Sequence, residues 1–324
     1  MASKSITILI SSAGRRVELM KLLREAAQWH GRTARIIATD VNPELSPACH
    51  LADHALRVSA ATDPAFIDET VDVVRRWDVD LVVPTIDPEL EPLANTRRRF
   101  SEMGARVAVS NPDAVRACRD KRLTMGRLGD AGIPIPISYD ASDYNDADIR
   151  RADVWLSKPA MGSSSRGVQP FDPSADEPFF SEPTLLQEVV RGVEYTTNVY
   201  VGADGTVQSV VPHMRLKTRG GEVEKAQTVS DGELRKIAGG IVAAIPGLRG
   251  AFCFQTIHDR DRGHLVIEVN ARFGGGYPLA HAAGAPFVRW LIEETLGMAP
   301  SFDHVWREGV TMLRYDDSVF VDSE

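Results

Sequence analysis

The chain has 324 residues, of which 43% are hydrophobic and 25% charged, and its formal net charge at pH 7 is −8. This composition is typical of a globular protein, and the length predicts two or three subdomains. The acidic balance argues against a general nucleic-acid surface. The chain has neither an apolar run of about 18 residues nor a signal-peptide core, which argues against a membrane span and predicts a cytoplasmic protein. Cys49, Cys118 and Cys253 form no CxxC pair, so neither a disulfide framework nor a thiolate zinc site is expected.

The first hundred residues alternate short apolar strands with amphipathic helices. The predicted strands contain ITILISS, RIIATD, LVVPTID and ARVAVS, and the predicted helices contain VELMKLLREAAQW and DPAFIDETVDVVRRW. This alternation predicts a βαβ arrangement with a parallel sheet. Such a sheet binds ligands at the carboxyl ends of its strands, so the loops SSAGRR, DVNP and TIDPE are expected to lie near one crevice.

Arg15 and Arg16 lie at the start of the first predicted helix. A helix N-terminus and guanidinium groups attract the same anion, so this pair can clamp a carboxylate or a phosphate, and a solvated helix start is the alternative. A dehydrogenase with a nicotinamide cofactor is disfavoured. Its fingerprint needs three glycines in this loop, and only Gly14 is present.

A domain boundary is predicted after the helix in DKRLTMGRLGDAGIPIP, because Gly132 and two prolines end that helix. Further on, VEYTTNVYV has the alternation of a strand, whereas ELRKIAGGIVAAI and PFVRWLIEETLG have helical patterns. The tail TMLRYDDSVFV is predicted to be a last strand. No repeat of 20 to 50 residues is evident.

Lys158 ends the predicted strand VWLS and precedes a loop of small residues, which comprises Gly162, Ser163, Ser164, Ser165, Arg166 and Gly167. Small residues let backbone N–H groups approach phosphate oxygens, and the lysine adds a positive charge. The lysine precedes the glycines, so this segment does not match the Walker pattern. A flexible surface loop is the alternative.

The segment LLQEVVRGVE, residues 185–194, has the form of a strand that leads into a hinge. Backbone groups of such a segment can bind a purine, and Glu194 can accept hydrogen bonds from ribose hydroxyls. Taken alone, however, the segment is better interpreted as an ordinary exposed strand end.

Gln255, Glu268 and Asn270 lie on two predicted strands, AFCFQTIH and HLVIEVN, which the turn DRDRG joins as a hairpin. Alternation places Glu268, Asn270 and Arg272 on one face and leaves Val266, Ile267 and Val269 for packing. Magnesium prefers oxygen ligands together with substrate phosphates, so these residues predict a Mg²⁺ site completed by a nucleotide. Arg272 would then face the transferred phosphoryl group.

Two further segments have a simpler interpretation. His50 and His54, four residues apart, resemble a zinc pair on a helix, but no HExxH glutamate and no third ligand accompany them. Surface histidines are the better interpretation. The basic cluster at residues 215–221 is interpreted from composition as a solvated loop.

Taken in order, these segments resemble the ATP-grasp superfamily, and most closely its carbamoyl-phosphate synthase-like branch. The matching residues are Asp120 with Lys121, SKP with Lys158, the loop GSSSRGV, the hinge QEVVRGVE, and Gln255 with IEVNAR. The resemblance covers nearly the whole chain and implies an α/β and α+β fold. It implies a preATP-grasp βαβ parallel-sheet domain followed by a two-lobed ATP-grasp fold. The implied first domain comprises residues 1–112, and a linker helix with the lid subdomain comprises residues 113–186. The implied C-terminal lobe comprises residues 187–324 and contains the metal site and the tail strand.

The resemblance also implies how ATP is held. The phosphates would contact Lys121, Lys158 and the glycine and serine loop, which closes as a lid. The side chain of Gln187, the carbonyl of Glu188 and the amide of Val190 would contact adenine, and Glu194 would contact the ribose.

The metal and catalytic residues follow from the same resemblance. Gln255, Glu268 and Asn270 would bind Mg²⁺, or Mn²⁺ in its place, and many family members have glutamate where this chain has Gln255. Residues 215–225 resemble the loop that family members bring near the γ-phosphate or the acceptor. The implied catalytic residues are Lys217, Arg219 and Arg272.

An active site of this kind implies a two-step reaction in which a carboxylate attacks the γ-phosphorus of ATP and a nucleophile then displaces phosphate from the acyl phosphate. The expected partners are two small-molecule substrates. One is a carboxylate, which is an amino acid or a small peptide, and the other is the nucleophile that is joined to it. A homodimer is left open. One alternative is an enzyme that phosphorylates bicarbonate or carbamate. Another is a nucleotide-binding protein without turnover.

Overall fold

The computed structural model describes residues 4–143, 154–162, 166–172, 180–302 and 305–321. Ser163, Ser164 and Ser165 of the predicted loop lie outside these ranges. The strands of the described residues form three sheets of five, four and six strands. No helix among these residues is both long enough and apolar enough to cross a bilayer.

The first sheet is parallel, as predicted, with the strand order β3-β2-β1-β4-β5. Its strands are β1 (Lys4–Ser11), β2 (Arg32–Asp40), β3 (His54–Arg57), β4 (Leu81–Pro84) and β5 (Arg106–Val107). The helices between them are α1 (Val17–Trp29), α2 (Pro47–Leu51), α3 (Phe66–Trp77) and α4 (Asp87–Ser101). Helix α1 has the predicted bounds because Leu19, Met20 and Leu23 are buried at helical spacing against the sheet. His50 ends up in α2 and His54 in β3, so they do not share a helix face.

The loops at the carboxyl ends of this sheet lie together, as the sequence predicts. Gly14 donates its backbone N–H to Asp40 and accepts a hydrogen bond from the Ser46 hydroxyl through its carbonyl. The buried carboxylate of Glu89 accepts hydrogen bonds from Ser12 and from the backbone of Ile86 and Thr85. Buried polar groups need such partners, so these bonds hold the crevice between β1 and β4 in one conformation.

Two helices and a four-stranded antiparallel sheet follow. The helices are α5 (Pro112–Arg119) and α6 (Lys121–Asp130). The sheet has the order β6-β9-β7-β8 and comprises β6 (Ser138–Asp140), β7 (Trp155–Pro159), β8 (Gln169–Phe171) and β9 (Thr184–Glu188). Strand β9 runs through the boundary predicted at residue 186 and is hydrogen bonded to β6 and β7. We therefore propose that this subdomain extends to Glu188.

The six-stranded sheet has the order β14-β13-β10-β11-β12-β15. Its strands are β10 (Val193–Val201), β11 (Val207–Arg219), β12 (Glu222–Thr228), β13 (Gly250–Asp259), β14 (Gly263–Asn270) and β15 (Thr311–Leu313). The remaining helices are α7 (Gly232–Ala244), α8 (Tyr277–Ala283) and α9 (Phe287–Thr295). The predicted tail strand is real but short, because its ladder with β12 ends at Leu313.

Two hydrophobic cores connect these parts. One contains the parallel sheet, α1, and the rings of Tyr277, Phe287 and Trp290, and therefore joins the first domain to the C-terminal helices. The other packs α5, α6 and α7 against strands β10, β13 and β14. Burial on this scale fixes the first domain against the six-stranded sheet and leaves polar side chains facing the space between them.

Candidate active site

A cavity of about 420 Å³ is lined by residues from the four-stranded and six-stranded sheets, from α6 and from the loops after β1 and β14. Eight of the residues predicted to contact ATP, Mg²⁺ or the transferred phosphoryl group line it, and they come from α6, β7, β10, β13, β14 and the loops next to them. These residues are Lys121, Lys158, Gly162, Glu194, Gln255, Glu268, Asn270 and Arg272.

The hairpin of β13 and β14 positions the three predicted metal ligands. Gln255 lies opposite Glu268 in the antiparallel register, and Asn270 lies opposite Cys253. The pairing skips Ile267, so a β-bulge places Ile267 beside Glu268 in the cavity lining. Ile267 was predicted to pack in the core, and the bulge explains why it lines the cavity instead.

The oxygen atoms of this trio suit a hard divalent cation. The half-buried Glu268 carboxylate lies 3.9 Å from the Lys121 ammonium, and no described residue donates a hydrogen bond to it. The side-chain oxygens of Gln255 and Asn270 each accept a hydrogen bond from an arginine, at 3.1 and 3.3 Å. One carboxylate and two amide oxygens are too few for an all-protein Mg²⁺ site but fit a site completed by phosphates and water.

Two lysines approach the same space from the other side. Lys121, the first residue of α6, donates to the carbonyl of Gly162, and Lys158 donates to the side-chain oxygen of Gln187 at 2.5 Å. Burial lowers the pKa of Lys121 and lowers the pKa of Lys158 to about 8. Partly desolvated ammonium groups with no carboxylate closer than 3.9 Å among the described residues are suited to an anionic ligand.

Arg272 is held by a carboxylate that the sequence did not indicate. Its guanidinium forms two hydrogen bonds with Asp87, at 3.0 and 2.7 Å, across 185 residues of sequence. Burial alone would lower the pKa of Arg272, but the Asp87 carboxylate raises it above its usual value. Arg272 is therefore a fixed cation of the cavity wall, and the pair also links α4 to the end of β14.

Arg215 is a site residue that the sequence analysis missed. Its side chain is only 6% exposed, pairs with Glu194 at 3.0 Å, and donates to Gln255 at 3.1 Å and to the carbonyl of Gly221 at 2.7 Å. It therefore orients one predicted ribose ligand and one predicted metal ligand. The basic cluster at residues 215–221 was the available signal, but composition did not show which of its cations is buried.

Lys217 and Arg219 do not line the cavity. Lys217 pairs with Glu224 at 3.0 Å, and Arg219 pairs with Asp316 at 2.6 Å, with both cations more than half exposed. The register of β11 against β12 shifts on both sides of Lys217. As a result, Thr218 faces the cavity, whereas the side chains of Lys217 and Arg219 point away from it. Their predicted catalytic role stays a prediction.

The predicted adenine segment lies at the end of β9, next to the cavity. The buried side chain of Gln187 binds Lys158 and also donates to the Ser138 hydroxyl at 2.9 Å. The Glu188 carboxylate accepts hydrogen bonds from the Ile137 N–H and from Arg262. These two residues and Val190 are not among the lining residues, and their contacts with adenine stay a prediction.

Gly167 also lies outside the lining, although it shapes the loop that the sequence analysis singled out. Its φ of +74° favours glycine, and a Cβ atom there would lie 2.8 Å from the Cγ atom of Pro159. A larger residue would displace the loop from the end of β7, which carries Lys158.

A group of arginines surrounds Glu222 at the end of the cavity nearest the first domain. Arg16, Arg15 and Arg314 lie 3.9, 3.7 and 3.5 Å from its carboxylate. The side chain of Arg16 is 20% exposed and lines the cavity, whereas that of Arg15 is 79% exposed and does not. Burial, followed by the charge of Arg272, lowers the pKa of Arg16. Of the predicted clamp, only Arg16 faces the cavity.

Comparison with protein-family models gives two adjacent matches. Residues 8–108 match the PylC-like N-terminal domain, and residues 118–276 match an ATP-grasp domain. The second match includes every described residue of the cavity lining except Arg16. No curated protein sequence matches the chain at a significant level.

Solved structures show the same fold at low sequence identity. Biotin carboxylase from Campylobacter jejuni has a TM-score of 0.70 and 16% identity, with 90% of this chain and 71% of that chain covered. The L-amino acid ligase from Bacillus licheniformis has a TM-score of 0.67 and 17% identity, with 92% and 76% covered. The biotin carboxylase domain of Hydrogenobacter thermophilus 2-oxoglutarate carboxylase, solved with MgADP and bicarbonate, has a TM-score of 0.70 and 16% identity, with 94% and 73% covered. The chain therefore belongs to the ATP-grasp superfamily of ATP-dependent ligases, with a PylC-like domain preceding its ATP-grasp domain.

Proposed function

We propose that this ATP-grasp ligase activates the carboxylate of an amino acid or small peptide with Mg·ATP and joins it to a nucleophile. The carboxylate oxygen attacks the γ-phosphorus and releases ADP, and the nucleophile then attacks the acyl carbon and releases phosphate. The observation that carries this proposal is one cavity in which Lys121, Lys158, Glu268 and Arg272 meet next to Arg16.

The charge of the lining supports two anionic ligands. Six cationic side chains, those of Arg16, Lys121, Lys158, Arg166, Arg215 and Arg272, face three carboxylates, those of Glu194, Glu222 and Glu268. The lysines and Arg272 are grouped near the predicted metal ligands, where phosphates would lie. Arg16 comes from the first domain and lies beside this group, next to Glu222, so it is the cation that we assign to the substrate carboxylate.

Gln255, Glu268 and Asn270 would hold Mg²⁺, which would neutralise charge on the phosphates. Arg215 would keep Gln255 and Glu194 oriented, and Arg272 would face the charge that develops on the transferred group. Cys253 lines the cavity, but burial raises its pKa to about 11, so it is a neutral thiol at pH 7. The proposed reaction needs no protein nucleophile.

A screen of amino acids and dipeptides for stimulated ADP release tests the proposal. We expect one carboxylate to stimulate release and hydroxylamine to trap the acyl phosphate as a hydroxamate. Stimulation by bicarbonate alone, without a hydroxamate from any organic acid, would favour phosphorylation of bicarbonate. ATP binding without any substrate-dependent ADP release would indicate a nucleotide-binding protein.

The assignment of Arg16 predicts a selective change in substrate affinity. Arg16→Ala should raise the KM for the carboxylate by about 10-fold to 100-fold, because a charge-assisted hydrogen bond contributes about 1.5–3 kcal/mol. The KM for ATP should change much less. Arg15→Ala is the matched control and should behave like the wild type, because this side chain lies outside the cavity. Equal effects of the two substitutions would contradict the assignment.

The lowered pKa of Lys158 leads us to expect that nucleotide binding depends on pH. Its pKa of about 8 means that it is charged at pH 7 and loses its proton as the pH rises through 8. The Kd for Mg·ATP should therefore increase by up to about tenfold per pH unit above 8, because the neutral amine no longer attracts phosphate. Isothermal titration calorimetry between pH 7 and 9.5 measures this dependence.

Substituting the lysine separates its effect from general pH effects. Lys158→Met should bind Mg·ATP weakly at pH 7 and show a flatter pH profile than the wild type. Lys236→Met, a substitution of an exposed lysine on α7, should keep the wild-type profile. A Lys158→Met profile as steep as that of the wild type would assign the titration to another group.

A further inference from the structure

Three side chains that can bind a metal meet on the β13–β14 hairpin, away from the cavity. His258 and His264 are cross-strand partners with ring centroids 4.6 Å apart, and Glu233 reaches them from the first turn of α7. One ligand atom from each lies within 4.8 Å of the others. Among the described residues, no other three histidine, cysteine, aspartate or glutamate side chains come together in this way.

The hairpin separates this group from the predicted Mg²⁺ ligands. Gln255 and Ile257 line the cavity, so strand alternation turns His258 to the opposite face, where α7 packs. On β14, the bulge at Ile267 offsets the alternation and places His264 on the opposite face from Glu268. The two groups therefore lie on the two faces of one hairpin.

We propose that Glu233, His258 and His264 form a second metal site, which takes a divalent ion of the zinc type such as Zn²⁺, Co²⁺ or Ni²⁺. Two imidazoles and one carboxylate are a ligand set that these ions accept, whereas Mg²⁺ prefers oxygen ligands alone. The two faces of the hairpin thus differ in the ion that they select.

The surroundings of His264 hold the site in place. Its buried ring lies 3.1 Å from the Thr256 hydroxyl and 3.1 Å from the Asp231 carboxylate. One of these bonds must be given up for the ion, and the other then orients the ring, as is usual for a metal-bound histidine. Asp231 is also the N-cap of α7, and it accepts the backbone N–H groups of Glu233 and Leu234.

The other two ligands have room to adjust. Zinc-type bonds of about 2.0–2.1 Å place ligand atoms about 3.3 Å apart, so ligand atoms that lie up to 4.8 Å apart must approach each other by up to about 1.5 Å. His258 and Glu233 are exposed and can shift by side-chain rotation alone. Gly263, with a φ of +74°, leaves space for this carboxylate, because a Cβ atom there would lie 2.7 Å from a Glu233 oxygen.

Zinc binding to the metal-free full chain tests the proposal. Calorimetry should show one Zn²⁺ bound per chain, and Zn²⁺ should raise the melting temperature, because a ligand of the native state stabilises it. His258→Ala and Glu233→Gln should each weaken Zn²⁺ binding by at least about tenfold, a loss typical of disturbed metal sites. Both replaced side chains are exposed, so these variants should fold.

Two control variants complete the test. His50→Ala removes an exposed histidine of α2 and should bind Zn²⁺ like the wild type. Glu268→Gln should also keep its Zn²⁺ affinity, because this residue lies on the other face of the hairpin. Absence of Zn²⁺ binding at micromolar concentration, wild-type affinity in His258→Ala, or loss of binding in Glu268→Gln would each overturn the proposal.

Discussion

Glu268→Gln is expected to reduce ATP turnover by at least about a hundredfold, because the loss of one fixed electrostatic contact to a reacting group typically has an effect of this size. The glutamine keeps the shape of the side chain and removes its charge. Glu268 is the only carboxylate among the three predicted metal ligands, so the variant should also need a much higher Mg²⁺ concentration for half-maximal activity. Steady-state ADP release over a series of Mg²⁺ concentrations measures both effects.

The fold should not change in this variant. Glu268 is partly exposed, and its one ion-pair partner among the described residues, Lys121, lies 3.9 Å away, so little packing depends on it. Glu18→Gln, which removes an exposed carboxylate from α1, is the matched control and should be fully active. Turnover with the wild-type Mg²⁺ dependence in Glu268→Gln would remove the metal assignment.

The second large effect is expected at the ion pair of Arg272 and Asp87. Each side chain is less than 15% exposed, and removing one partner leaves the other as an unpaired buried charge. Arg272→Met or Asp87→Asn alone should therefore lower the free energy of unfolding by up to about 3–5 kcal/mol, with the smaller loss for asparagine, which can still accept a hydrogen bond. Urea denaturation followed by circular dichroism measures these losses.

The double variant separates stability from catalysis. Asp87→Asn combined with Arg272→Met should lose less stability than the sum of the two single variants, because no buried charge is left unpaired. Its activity should stay as low as that of Arg272→Met alone, since the fixed cation is missing. Asp87→Asn should keep measurable activity. If its activity were as low as that of Arg272→Met, the loss would report distortion of the site rather than a role for the guanidinium.

Local patterns in the sequence were enough for most of the elements and for several residues of the cavity lining. Helix α1 has the predicted bounds because its apolar spacing matches one face of a helix that packs on a sheet. Lys121 was predicted from the resemblance to the ATP-grasp superfamily, whereas Lys158 and Glu268 were predicted from their places at a strand end and on an alternating strand. These features depend on neighbours a few residues away, and local backbone geometry determines them.

Tertiary structure alone decided which of the neighbouring cations face the cavity. Regular alternation would place Arg215, Lys217 and Arg219 on one face of β11, but the shifts in its register with β12 bury Arg215 and leave the other two exposed. The bulge at Ile267 has the same origin, because it depends on how β14 pairs with β13. Asp87 meets Arg272 only through packing between residues 185 positions apart. Pairing of this kind is a property of the folded chain, and the residue spacing within one segment does not predict how that segment pairs with another.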